Sequence, residues 1–218
     1  MTIHRLIYIL LAIFLCSCAK TVEDEVEIYN NDFKTNNLAD ISNGRISDFN
    51  GSKVLGNYNN GGFTLTINDL PKHNIVDISF DLFIHDNWEG NQQIQNQTAG
   101  PDIWKLVVGT KTYIYTTFSN IGCQPGNFCP PQSYPSDYPN NNNNPKSGAS
   151  TINLPGFCSQ ASSATGTTLY KIHRSISHSE ETLVIHCLDE LKQKNVADPK
   201  CDESWSIDNI KVSVVNVK

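Results

Sequence analysis

The sequence predicts an all-β fold, an antiparallel β-sandwich, on three observations. Apolar and polar residues alternate with a period of two along several separate stretches, as in strands with one buried face. Helical periodicity is nearly absent, and the stretches are divided by short Asn-, Gly- and Pro-containing turns.

The stretches follow in order. Phe63, Leu65 and Ile67 alternate with Thr64 and Thr66 after the turn signal Asn59-Asn60-Gly61-Gly62. A break from Asn68 to Asn74 around Pro71 leads to Ile78, Phe80, Leu82 and Ile84, which alternate with Ser79, Asp81 and His85. Trp104, Leu106 and Val108 form the next apolar face, ended by Gly109-Thr110, and Leu183, Ile185 and Cys187 form another after His178 to Glu181. Asn and Gly tolerate positive φ and Pro lacks a ladder N–H, so each break has a physical cause. Only Asp189 to Lys194 offers a short helical turn. In the last stretch Trp205 and Ile207 share one parity while Ile210, Val212 and Val214 share the other. Either a β-bulge at Asp208-Asn209 or a switch between two packed faces accounts for the slip. Many short strands of this kind point to two packed sheets of jelly-roll or lectin-like form.

Residues 1–17 are of another kind. Arg5 precedes an apolar run from Leu6 to Leu15, followed by Leu15-Cys16-Ser17-Cys18. The run is half the length of roughly 20 residues that a spanning helix needs, which makes it a removed signal segment rather than an anchor. The tetrapeptide resembles the lipobox of bacterial lipoproteins, and the resemblance implies that Cys18 is diacylated and becomes the new N-terminus. Acyl chains contribute about 0.8 kcal/mol per buried methylene, so dual acylation attaches a protein stably without spanning. Residues 18–26 are the acylated cysteine and its tether. Their Glu23-Asp24-Glu25 cluster, soon after Lys20, resembles the acidic surface-export signal of Bacteroidetes lipoproteins. The expected location is therefore the outer membrane, at the cell surface.

The chain carries a formal charge of -6, which becomes -7 when residues 1–17 take Arg5 and no acid with them. With no Lys/Arg cluster to neutralise phosphates, a nucleic-acid partner is excluded. Residues 27–218 form one sandwich domain, about the size that supports a single core.

Successive antiparallel strands reverse direction. If the strand from Ile75 to His85 runs upward, the three long connections, residues 85–102, 118–168 and 188–203, all fall at one end of the sandwich. Cys123, Cys129, Cys158, Cys187 and Cys201 fall there too. In an exported protein disulfides are the default. Cys187 and Cys201 flank one connection and are expected to bridge, and Cys158 is expected to pair with Cys123 or Cys129. The connection 118–168 contains Pro130-Pro131, Tyr134-Pro135, Tyr138-Pro139 and an Asn run, a composition that reads as a flexible insert over about residues 124–157.

That end also carries the chemistry. His85 to Asn91, Gly100 to Trp104 and Asp202 to Trp205 bring hard oxygen donors onto loops, so Asp86, Glu89, Asp102 and Glu203 are the candidate ligands of a Ca²⁺ ion. Trp88, in a polar loop, is the candidate for stacking on a sugar ring, with Glu89, Asn91 and Tyr134 as companions. The C-terminal run Ser204 to Val212 resembles the closing strand of jelly-roll carbohydrate-binding modules. That resemblance implies an alternative calcium pair, Asp208 with Asp32. No nucleophile elbow, His-Glu-x-x-His or phosphate-cradling Gly loop is present, and only Asp86 with Glu203 suggests a glycosidase pair. The expected function is recognition of a glycan or an extracellular protein by a non-enzymatic domain tethered to the membrane by lipid. The other classes weighed are a structural subunit of a surface assembly and a glycoside hydrolase.

Overall fold

The computed structural model describes residues 22–93, 100–123, 125–126, 128–193 and 196–218. Cys18 and the whole leader lie outside them. The protein is an antiparallel β-sandwich, as its alternation requires. One sheet is ordered β3 (Ile46–Phe49), β4 (Ser52–Tyr58), β12 (Glu203–Val217), β6 (Ile75–Asp86), β10 (Thr167–Ser177) and β9 (Thr151–Leu154). Its seventh strand, β1 (Val22–Asn31), pairs with the second half of β12, beyond the short β4. The other sheet is ordered β2 (Ile41–Ser42), β5 (Gly62–Ile67), β11 (Leu183–Asp189), β7 (Ile103–Val108) and β8 (Lys111–Thr117).

The inward-facing residues are those of the apolar parity. Phe63, Leu65, Ile78, Leu82, Ile84, Leu106, Leu183 and Ile185 are buried, and each such side chain contributes about 1.5–3 kcal/mol on leaving water. Trp104 and Trp205 meet edge to face at 5.8 Å in the centre of this core. The slip in β12 is a bulge: its register with β6 shifts between Asp208 and Lys211, and Asn209 sits at φ 54. Ile207 and Ile210 consequently both point inward and are buried.

Three expectations are corrected. Among the described residues the helical turn is α1 (Pro199–Asp202), capped by Asp198, rather than a segment starting at Asp189. The disulfides are Cys123–Cys129 and Cys158–Cys201, and Cys187 is a free, buried thiol. Cys187 shares the inward parity of Leu183 and Ile185, which turns its sulfur into the core and away from Cys201. The Cys158–Cys201 bridge spans 43 residues, a closure worth about 4 kcal/mol in the chain-entropy account.

The insert is packed onto the sandwich. Tyr134 and Tyr138 donate their backbone N–H groups to Thr117 and Tyr115 on β8 at 3.2 and 2.9 Å, covering that sheet edge. Beneath it the Gln132 amide donates to the carbonyls of Tyr134 and Ser147, and its oxygen accepts from the N–H groups of Ser119 and Lys146. A polar insert is held here by polar bonds, which composition alone does not reveal.

In protein lacking residues 1–18, and so Cys16 and Cys18, Cys187 is expected to be silent to a thiol reagent while folded under non-reducing conditions. A slow reaction should appear only on unfolding in guanidinium chloride and disappear in C187S; immediate labelling of the native protein would contradict the assigned pairing.

Candidate functional site

The segments flanking Trp88 and Asp202 meet at the loop pole. Glu203 opens β12 directly opposite Asp86, the last residue of β6. The Asn87 backbone N–H donates to the Asp202 carbonyl at 2.8 Å, its side-chain amide donates to the Asp202 carboxylate at 2.6 Å, and the Trp88 indole N–H donates to the Ser204 carbonyl at 2.8 Å.

The carboxylates gathered there fall into two kinds. Asp86 is fully buried at φ 64 and accepts the backbone N–H groups of Cys158 and Gln160 at 3.1 and 2.8 Å. Burial raises its pKa while those amides oppose the shift. Asp189 likewise accepts four N–H groups, from Asn60, Gly61, Leu191 and the Trp205 indole. Both are pins that hold loops to strands.

Glu89, Asp102 and Glu203 are different. Asp102 Oδ2 accepts the N–H groups of Glu89 and Gly90, and Glu203 Oε1 accepts from the Gln193 amide at 2.6 Å. Asp102 Oδ1, Glu203 Oε2 and Glu89 Oε2 are buried without a hydrogen-bond partner, and so is Gln193 Oε1. Asp102 and Glu203 are each 0% exposed. Burial first, and then the Asp102 carboxylate, pushes the Glu203 pKa well up; burial, and to a smaller extent Glu89, does the same to Asp102. No ion pair among the described residues involves any of the three. No set of three or more His, Cys, Asp or Glu stands ready at metal-ligand spacing among those residues.

Of the four expected calcium ligands, Asp86 turns its oxygens to backbone amides, while Glu89, Asp102 and Glu203 each keep one buried oxygen without a donor. The alternative pair also approaches at the β12 bulge. The Asp208 pKa is pushed up to about 6 by burial, with Asp81 and Asp32 adding repulsion. Asp32, however, is exposed and paired with Lys34 at 2.7 Å, and Asp208 accepts the N–H of Asn209.

The expected sugar contacts are corrected. Trp88 is 0% exposed, its ring edge-on to Phe118 at 6.3 Å, because the loop folds back over the open end of the core. Tyr134 is buried against Phe118 and Tyr170. Asn91 spends its amide on Asn141 and its oxygen on Thr117 and Ser133, tying the insert down. Trp88 and Tyr134 offer no free surface to a ligand, and Asn91 is partly exposed with its amide already engaged.

A surface the expectations missed lies on the outer face of the five-stranded sheet. Register places Thr64, His186 and Val107 side by side across β5, β11 and β7, with Gly62, Leu188, Lys105 and Tyr115 in the next row. Thr64 Oγ1 and His186 Nδ1 lie 2.8 Å apart, fixing the imidazole. Thr64, His186, Val107, Gly62 and Leu188, with Asn43, line an open trough of about 520 Å³. Gly62 forms part of it because a Cβ there would stand 2.0 Å from the Cys187 carbonyl. A second trough of about 460 Å³, lined by Val184, Tyr113, His178 and Glu180, adjoins it at Gly109. The signal was present in the sequence as the polar parity of each strand, which reads equally as plain solvent-facing surface.

Comparison with known proteins adds little. No protein-family model matches the chain, and no curated protein matches it. Among solved structures, a family 115 4-O-methyl-α-glucuronidase with specificity for decorated arabinogalactans superposes with a TM-score of 0.36 at 9% identity, covering 90% of this chain and 18% of that one. The chain therefore spans less than a fifth of that enzyme's length. A family 35 carbohydrate-binding module from Clostridium thermocellum gives 0.33 at 12% identity, with 89% and 98% covered. A carbohydrate-binding module that recognises mannan gives 0.34 at 11%, with 90% and 99% covered. Likeness at this level lends none of their activities to this chain.

The pKa shifts have a measurable consequence. A carboxyl whose folded pKa is raised stabilises the fold below its unfolded pKa of about 4.3, and the benefit is lost as pH climbs toward the folded value. His85 works oppositely: fully buried, its pKa is depressed to about 3, so its contribution is present above about 6.5 and is lost on acidification. In chelator the Tm is expected to fall between pH 7 and 9, where His85 stays neutral, and E203Q should flatten that decline. An equally steep decline in E203Q would remove Glu203 as its source.

Proposed function

We propose that the chain is a lipid-anchored, surface-displayed binding protein whose sandwich recognises a glycan on the outer face of its five-stranded sheet. The observation that carries this reading is the pair of adjoining troughs. Tyr113, Val107 and Leu188 give apolar surface for the C–H faces of sugar rings, while Thr64, His186 and Asn43 give donors and acceptors for hydroxyls. The joined troughs have the volume and mixed chemistry of a site for a short oligosaccharide.

Membrane attachment would run through Cys18, supported by the leader and lipobox-like residues before it. Among the described residues no helix is long and apolar enough to cross a membrane. β1 begins at Val22, paired with Val217 at the pole opposite the loops. Four residues of chain reach at most about 14 Å. An acylated Cys18 would therefore hold the short-turn pole against the outer membrane and direct the loop pole outward, leaving the troughs on the flank.

Binding rather than catalysis is favoured because the candidate glycosidase pair faces no groove. Asp86 and Glu203 are both 0% exposed, the first occupied by backbone amides.

The test is a glycan array followed by calorimetry on each retained sugar. H186A and Y113A are each expected to weaken binding about tenfold, roughly 1.4 kcal/mol, without moving the Tm. Absence of any retained glycan, or binding indifferent to both substitutions, would defeat the reading; a protein captured through the same face would replace glycan by a protein partner.

A further inference from the structure

We infer that the second trough is gated by protons: one of its walls, the β10–β11 turn, is latched to the β5–β6 turn by a hydrogen-bonded pair of imidazoles, His73 and His178, which holds with one added proton and parts with two. The inference rests on the reading of the troughs as the binding face, and adds the condition under which a ligand is released. His178, Glu180 and Thr182 line this trough together with Val184 and Tyr113. His73 stands on the facing turn and is 6% exposed.

His73 Nε2 and His178 Nδ1 lie 2.8 Å apart, and His73 Nδ1 lies 2.6 Å from the Pro71 carbonyl oxygen. The ring planes differ by 10° and the centroids are 5.1 Å apart. Nitrogens at 2.8 Å are closer than two stacked ring faces allow, so the rings meet edge to edge through a single N–H···N bond. The partners fix the proton count. Pro71 offers only an acceptor, so His73 Nδ1 carries a proton, and the bond between the rings needs one more, on either nitrogen. The neutral pair meets this condition with His178 donating, and a pair with one added proton still meets it. With two added protons both facing nitrogens are N–H groups and the bond is gone. Two cations then stand side by side, and His73 keeps a buried donor with no acceptor.

The two turns are also tied by the Leu70 N–H to the Glu181 carbonyl at 3.0 Å, the His178 N–H to the Asn74 carbonyl at 3.2 Å and the Thr182 hydroxyl to the Asn68 side-chain oxygen at 3.1 Å. None of these bonds titrates, so the imidazole pair is the part of the latch that answers to pH. Burial, and then His73, lowers the His178 pKa, while the Glu180 carboxylate and the Thr182 carbonyl oppose the shift. Asp69 and Lys72 on the β5–β6 turn, Glu181 on the β10–β11 turn, Lys111 and Tyr113 on β8 and Lys218 after β12 are the other ionisable groups of the surrounding elements, and none of them moves it. A histidine with a depressed pKa contributes stability above its unfolded value of about 6.5 and loses it as pH falls. The latch is therefore closed at neutral pH and opens on acidification. Once open, the wall is free to move away from Val184 and Tyr113, and the trough loses the shape that a ligand fits.

The matched control is H178N, whose amide donates from near the position of Nδ1 and does not titrate. The first measurement needs no ligand. At about pH 5 the Leu70 amide of the full chain should exchange its hydrogen at least about tenfold faster than in H178N, and at about pH 7.5 the two rates should agree. Equal rates at both pH values would overturn the proposal. Ring NMR of the unmodified protein decides the matter should H178N not fold: His73 and His178 should titrate as one coupled pair in two steps, and two independent single steps would overturn the latch. The second measurement is calorimetry with a glycan retained on the array. Affinity should fall about tenfold from about pH 7.5 to about pH 5 in the unmodified protein and stay level in H178N; the same pH profile in both would overturn the gate. Absence of any retained glycan together with the exchange difference would strike the reading of the troughs and support the latch, which separates the two failures.

Discussion

Long polar connections can lie against a sandwich only if their backbone amides and carbonyls find partners once water is excluded. In this protein that requirement is met by a small number of side chains placed at strand ends. Asp86 holds the turn around Cys158, Asp189 draws Asn60, Gly61 and Leu191 onto the Trp205 indole, and Gln132 carries the middle of the insert. Asn120 joins them, donating to the carbonyls of Asp86 and Gly166 at 2.7 and 2.8 Å. Each is worth more than a surface hydrogen bond, because removing it strands several buried groups together.

These pins account for the character of the loop pole. A rim built from mobile loops would leave Trp88 and Tyr134 available to a ligand; a rim pinned from within turns them into the lid of the core. The polar surface open to partners is displaced to the flank, where β5, β11 and β7 are uncovered. Glu89, Asp102 and Glu203 depart from the rule, each with one buried oxygen that no described N–H reaches.

The expected fold class, strand parities and the gathering of three connections at one pole follow from alternation and reversal, which are local rules carried by neighbouring residues. The same rules place Trp104 and Trp205 in the core. Partner choice was less legible. Cys187 and Cys201 flank one connection, but strand parity turned the first inward, away from Cys201 in α1. The Pro- and Asn-rich insert looked unable to fold because its stabilising bonds run to Ser119, Thr117 and Tyr170, none of which its own composition displays.

By itself, then, the sequence determined two packed antiparallel sheets, an address-like leader and the convergence of acids at one end, because periodicity and charge are written residue by residue. Tertiary structure alone decided which of those acids are saturated, which aromatic rings are covered and which cysteines meet. Those outcomes depend on which N–H, ring or thiol arrives from a distant segment, and that is a property of packing rather than of local pattern.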